Sequence, residues 1–196
     1  MAKTTQTFSL NAKEKEFCLE LAKKSVLYSL KNVDLLKLSP SEQKEVPKKL
    51  LEKKACFVTL MKHKELRGCI GHLTAIKPLY LDIIENAYSA AFSDNRFNPV
   101  EENEFEELEF EVSVLTDPKE LKFSDEDDLL KKIVKGRNGL IISKGSASAT
   151  FLPSVWEQIS SKEEFLSELC LKAGLSADAW REKGFKVKTY TAIKIK

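Results

Sequence analysis

The chain has 196 residues and a mass of 22.2 kDa, with 42% hydrophobic and 32% charged residues. That is the make-up of one globular domain or two small ones, able to bury a core without disulfides or metal, and it excludes collagen-like and disordered classes. Thirty-two Lys and Arg face 30 Asp and Glu, a net charge of +2, without the dense basic face by which nucleic-acid binders neutralise phosphates.

Arginine occurs at Arg67, Arg96, Arg137 and Arg181 alone, and Lys48, Lys49, Lys53 and Lys54 form the nearest thing to a basic patch. We read that patch as a solvated face and expect no nucleic-acid partner. No apolar run approaches the ~18 residues of a membrane span. The start, MAKTTQTFSLNAKEKEF, lacks the apolar core of a signal peptide. A cytoplasmic location without membrane attachment is expected. Cys18, Cys56, Cys69 and Cys170 are far apart, so reduced and mostly buried thiols are expected rather than a disulfide framework.

In chain order, Asn11 and Glu14 form a capping box for a helix over 11–31, with Phe17, Cys18, Leu21, Ser25 and Tyr28 near one face. Ser39-Pro40-Ser41-Glu42 starts a short helix that Pro47 cuts off. Residues 55–62 and 66–73 flank the polar turn His63-Lys64-Glu65 and read as an antiparallel hairpin. Pro78 opens a helix that ends at the polar turn Ser93–Pro99. Residues 101–107 are acidic, and 108–115 alternate as a half-buried strand.

Further on, Ser124 with Asp127 caps a helix to about Val134. Residues 139–143 and 147–152 form a second hairpin, and Pro153 opens a short helix through Trp156. Ser161 with Glu164 caps a helix closed by Gly174. The tail, FKVKTYTAIKI, alternates as one strand from Phe185 to Ile195. Pairing it with the first sheet gives a larger subdomain of residues 1–117 plus 184–196, with 118–183 inserted.

Leu66-Arg67-Gly68-Cys69-Ile70-Gly71 is the segment that asks for an explanation. Two glycines in four positions weaken a strand unless a backbone or ligand must come close. Strand parity puts Arg67, Cys69 and Gly71 on one face. A guanidinium beside a thiol favours the reactive thiolate, so Cys69 and Arg67 are the candidate catalytic pair, weighed against a small apolar cysteine in a tight hairpin. Asp94 and Arg96 form a second polar cluster, either an anion clamp or a helix-end cap. Trp156, after Phe151-Leu152-Pro153, is a packing anchor or the wall of a binding site. No phosphate-binding glycine loop, H-E-x-x-H, EF-hand or G-x-S-x-G pattern occurs, and neither a cofactor nor a metal is expected.

These residues carry a resemblance. Phe57-Val58-Thr59-Leu60, the L-R-G-C-I-G hexapeptide, Ala90-Ala91 with Asp94, Arg96 and Phe97, and Glu111–Leu115 follow one another. Gly139–Ile142, Phe151–Trp156 and Lys172–Leu175 come after them. From about residue 10 onward the chain resembles the AMMECR domain family, the A component of the AmmeMemoRadiSam group. It departs from the family pattern at His72 and Ser154. The resemblance implies an α+β fold of two subdomains with antiparallel sheets flanked by helices and a cleft between them. It implies that the hexapeptide side chains face that cleft; Gly68, Ile70, Gly71, Asp94, Arg96, Pro153 and Trp156 are the expected substrate- or partner-binding residues. It also implies association with a Memo-like protein and a radical S-adenosylmethionine enzyme. Fold and family name supply no reaction. Two functions are therefore expected: an enzyme or enzyme subunit using Cys69 as nucleophile or redox thiol on a small-molecule or protein substrate, or a non-catalytic adaptor for those partners.

Overall fold

The computed structural model describes residues 8–196; residues 1–7, on which part of the signal-peptide reading falls, lie outside the described residues. In chain order the elements are α1 (Ala12–Asn32), α2 (Pro40–Glu45), β1 (Cys56–Lys62), β2 (Glu65–Gly71), α3 (Leu79–Phe92), β3 (Leu108–Leu115) and β4 (Lys119–Glu120). There follow α4 (Glu126–Lys132), β5 (Gly139–Lys144), β6 (Ala147–Phe151), α5 (Lys162–Lys172), β7 (Lys186–Tyr190) and β8 (Ala192–Ile195). Short 3-10 turns cover Lys48–Leu51, Glu102–Glu107, Pro153–Glu157 and Ala179–Arg181. The fold is α+β with two four-stranded sheets, ordered β2-β1-β3-β8 and β4-β7-β5-β6. Two compact units result: the chain as far as Thr116 with Ile193–Lys196, and Asp117–Ala192. Among the described residues no helix is long and apolar enough to cross a membrane.

The first unit is a sheet with helices on one face. Alternation along β1 and β3 turns Val58, Leu60, Phe110, Val112 and Val114 inward. They join one core with Leu21, Ala22 and Val26 of α1 and Ile83, Ile84, Ala87, Ala90 and Ala91 of α3. Each fully buried aliphatic side chain of this kind contributes roughly 1.5–3 kcal/mol. Asn11 caps α1, accepting from the Glu14 backbone at 3.0 Å while the Glu14 carboxylate accepts from the Asn11 N–H at 2.8 Å. The buried Ser25 hydroxyl donates to the Ile84 carbonyl at 2.8 Å, tying α1 to α3.

Helix α3 approaches β2 closely. A Cβ at Gly68 would stand 2.1 Å from the carbonyl oxygen of Ala90, a distance no packed structure tolerates. The small residues Ala87, Ala90 and Ala91 are the helix's side of the same arrangement. The turn between β1 and β2 places His63 and Lys64 at φ 52° and 68°, the left-handed pair that a two-residue hairpin requires.

In the second unit, Leu140, Ile142 and Val187 of the sheet pack with Leu129, Ile133, Phe165, Leu166, Leu169, Trp156 and Trp180. The Tyr190 ring lies over Gly139, where a Cβ would meet it at 2.4 Å. Its hydroxyl donates to the Phe151 carbonyl at 3.0 Å, and burial pushes its pKa up to about 12.

Two expectations are corrected. The tail is two strands, not one: β7 pairs antiparallel with β4 and β5 in the second sheet, and β8 belongs to the first. The chain leaves one sheet for the other at Thr191, so residues 184–192 go with the second unit. The side-chain phase changes on the way, since Val187 and then Tyr190 are buried, which the even alternation concealed. The cap of α4 is Asp125, whose carboxylate accepts from Asp128 N at 2.8 Å, one residue beyond Ser124.

Gly68→Ala is expected to destabilise the protein by at least ~2 kcal/mol, since its methyl meets a helix carbonyl and not a flexible side chain. Denaturant unfolding of the variant against the wild type measures this.

Candidate functional site

Strand β2 lies at the edge of the first sheet. Gly68 faces Ala90, so Cys69 points to the sheet face turned away from the helices and is half-buried. Thr59 of β1 stands opposite Cys69 in register, and Glu111 of β3 stands opposite Thr59. The Thr59 hydroxyl donates to Cys69 Sγ at 3.2 Å. Glu111 holds Lys194 at 3.5 Å and Lys196 at 3.1 Å. A polar row, Cys69–Thr59–Glu111, therefore crosses three strands.

Cys69 is also gripped by its backbone. Asp94 Oδ2 accepts from the Cys69 N–H at 2.9 Å, and Arg96 Nη2 donates to the Cys69 carbonyl at 3.3 Å. Arg96 is forked onto the same carboxylate through Nε at 2.9 Å and Nη2 at 2.7 Å. Together they supply the acceptor and donor that a further strand would offer at this edge, which satisfies two ladder groups and blocks strand addition there. The Arg96 bonds, with the Cys69 and Arg96 backbone N–H groups, hold the Asp94 carboxyl far below the usual carboxylate range.

Arg67 has another role than the one parity assigns. The register of β1 with β2 passes from Leu60–Gly68 to Met61–Leu66 and skips Arg67, a bulge that re-aims the side chain. Its guanidinium binds Glu104 through Nε at 3.1 Å and Nη2 at 2.6 Å. Glu104 is 9% exposed and also accepts from Lys62 Nζ at 3.2 Å. These partners lower the Glu104 carboxyl to about 2 from the ordinary 4.5.

The thiol is not activated by Arg67. Burial pushes the Cys69 pKa up; the Thr59 hydrogen bond and the Arg96 charge pull it down, and the Asp94 and Glu111 charges push it up again. Burial prevails, so the resting thiol is neutral at pH 7. The expected low-pKa Arg67–Cys69 pair is thus replaced by a protonated thiol beside a hydroxyl. Of the other hexapeptide residues, Ile70 packs on the core. Gly71 makes room for the Phe57 ring, which an added Cβ would meet at 2.3 Å.

Pro153 and Trp156 belong to the second unit. Trp156 stacks on Phe165 with centroids 3.7 Å apart, and its indole N–H donates to the Asn138 carbonyl at 2.7 Å. It is a core residue of that unit. Among the described residues no three His, Cys, Asp or Glu converge as a metal-binding group. Cys18, Cys56 and Cys170 are buried, and burial raises the pKa of each.

Thr59, Glu104 and Glu111 escaped the reading of the sequence as site residues. Parity along β1 and β3 offered a signal for Thr59 and Glu111, since both lie on the non-core face beside Cys69. Nothing in the acidic run marked Glu104 as the buried member.

The Glu104 carboxyl titrates lower when folded than unfolded, so its stabilisation is full above about pH 4.5 and is lost as the pH falls toward 2. Wild-type protein is expected to lose ~2–3 kcal/mol over that window that Glu104→Gln does not lose, having forfeited it already at pH 7. Chemical denaturation at pH 7, 5, 4 and 3 measures the difference.

The AMMECR1 family model matches residues 19–195. Protein MK0488 of Methanopyrus kandleri is 42% identical over 179 residues, covering 87% of this chain and 82% of that protein. Protein LS215_2104 of Saccharolobus islandicus is 40% identical over 194 residues, covering 96% and 83%. The crystal structure of protein PH0010 from Pyrococcus horikoshii superposes with a TM-score of 0.82 at 38% identity, covering 94% of this chain and 92% of that one.

Proposed function

The chain belongs to the AMMECR1 family, and on that footing we propose that it is an enzyme or enzyme subunit in which the Cys69 thiol reacts with a bound substrate. The observation that carries this reading is the Thr59 hydroxyl donating to Cys69 Sγ at 3.2 Å, on a sheet face the core does not use. Such a donor stabilises the thiolate more than the thiol. With Arg96 it forms the half of the surroundings that favours ionisation; burial, Asp94 and Glu111 form the other half. A ligand that adds positive charge or a further donor beside the sulfur tips the balance, so the thiol is neutral at rest and becomes nucleophilic with substrate in place. Asp94 and Arg96 hold the cysteine backbone, and Arg96, its side chain 51% exposed, has an edge to offer an anionic group. Arg67 acts on the shape of β2 through Glu104.

A second reading is that of a non-catalytic adaptor for a Memo-like or radical S-adenosylmethionine partner. It is favoured by the fact that Arg67, Gly68, Ile70 and Gly71 each have a role in packing or pairing inside the first unit.

Alkylation by iodoacetamide, resolved by mass spectrometry, tests the thiol. Cys69 is expected to react faster than Cys18, Cys56 and Cys170 in folded protein, and Thr59→Val is expected to slow it at neutral pH, where the thiolate fraction sets the rate. A Cys69 as inert as Cys18 overturns the reading. In a deletion strain, Cys69→Ser is expected to abolish function with the fold intact; a silent Cys69→Ser that still captures a Memo-like partner supports the adaptor instead.

A further inference from the structure

His72 follows the hexapeptide directly and extends its pairing, donating its backbone N–H to the Cys56 carbonyl at 3.0 Å. Its ring Nδ1 lies 2.7 Å from Asp82 Oδ1. Asp82 sits in the first turn of α3 and is 1% exposed. Its other oxygen accepts from the Cys56 N–H at 2.8 Å and from the Asn86 side-chain amide at 3.0 Å. Two donors from two elements, β1 and α3, thus fix this carboxylate, and it is aimed at the imidazole from the buried side. The His72 side chain is 42% exposed, and no hydrogen bond to its Nε2 occurs among the described residues.

A carboxylate accepts only, so the neutral His72 ring carries its proton on Nδ1 and leaves a lone pair on Nε2. That is the arrangement in which a buried acid orients a histidine for proton transfer. We propose that His72 is a general base, with Asp82 its positioning residue, and that its substrate is a hydroxyl compound or water at the outer end of β2. In the step, the proton of the O–H moves to Nε2 and the oxygen keeps the bonding pair. Nδ1–H stays on its nitrogen, and the imidazolium so formed pairs with Asp82. The assignment stands apart from the Cys69 reading, because Cys69 points to the face away from α3.

His63, the chain's other histidine, is an internal reference. Its side chain is 74% exposed, and its Nε2 is engaged by Glu107 at 2.9 Å. Diethyl pyrocarbonate on the folded full chain, read by peptide mass spectrometry, is expected to modify His72 faster than His63. Asp82→Asn is expected to slow His72 about tenfold, a loss of the size seen when an orienting partner is removed, and to leave His63 unchanged. Since Asp82→Asn removes a buried group and risks misfolding, nitrogen-15 NMR of the wild-type imidazoles provides the second measurement. Protonation at Nδ1 with a bare Nε2 supports the assignment. A proton on Nε2, or a His72 modified no faster than His63, overturns it, whatever the reactivity of Cys69.

Discussion

The contact between Gly68 and the Ala90 carbonyl governs the first unit. With no room for a Cβ, α3 lies against the backbone of β2 rather than against its side chains. That proximity lets residues at both ends of one helix reach the same hairpin. Asp82, in the first turn, binds the backbone of Cys56 and the ring of His72. Asp94, just past the last turn, binds the backbone of Cys69. Were the helix a side-chain layer further out, neither short aspartate would bridge the gap.

Charges near the thiol are paired, and this determines what the thiol is. Asp94 is matched by Arg96, Glu104 by Arg67 and Lys62, and Glu111 by Lys194 and Lys196. Among the described residues no unbalanced cation sits on the sulfur, so desolvation is the largest influence on its protonation. Sequence neighbours suggested an activating Arg67, but a single bulged residue turned that guanidinium toward Glu104 instead. The site is thereby organised around Thr59 and the Asp94–Arg96 fork.

Much of the fold was legible because local signals agreed with tertiary ones. The Asn11–Glu14 capping box, the alternation of 108–115 and the glycine after α5 each mark an element that forms where expected. The two hexapeptide glycines did report close approach, although to Ala90 and Phe57 rather than to a ligand. What was hidden depended on other chain segments. The division of the tail between two sheets is a matter of pairing partners, and alternation alone does not name a partner. The buried Glu104 looks like its exposed neighbours until Arg67 is seen on it. Asp82 reads as an ordinary first-turn acid, because the spacing to His72 and Cys56 has no meaning before the helix is laid on the hairpin.

The account rests on a Cys69 thiol that is neutral at rest and half-enclosed beside Thr59. Its most direct test is the ultraviolet absorbance of the thiolate, followed against pH as the difference between wild type and Cys69→Ser. The account predicts no thiolate from Cys69 at pH 7 and its appearance only above the pH at which a free cysteine ionises. A full thiolate signal at pH 7 would contradict it and restore an activating cation at the sulfur.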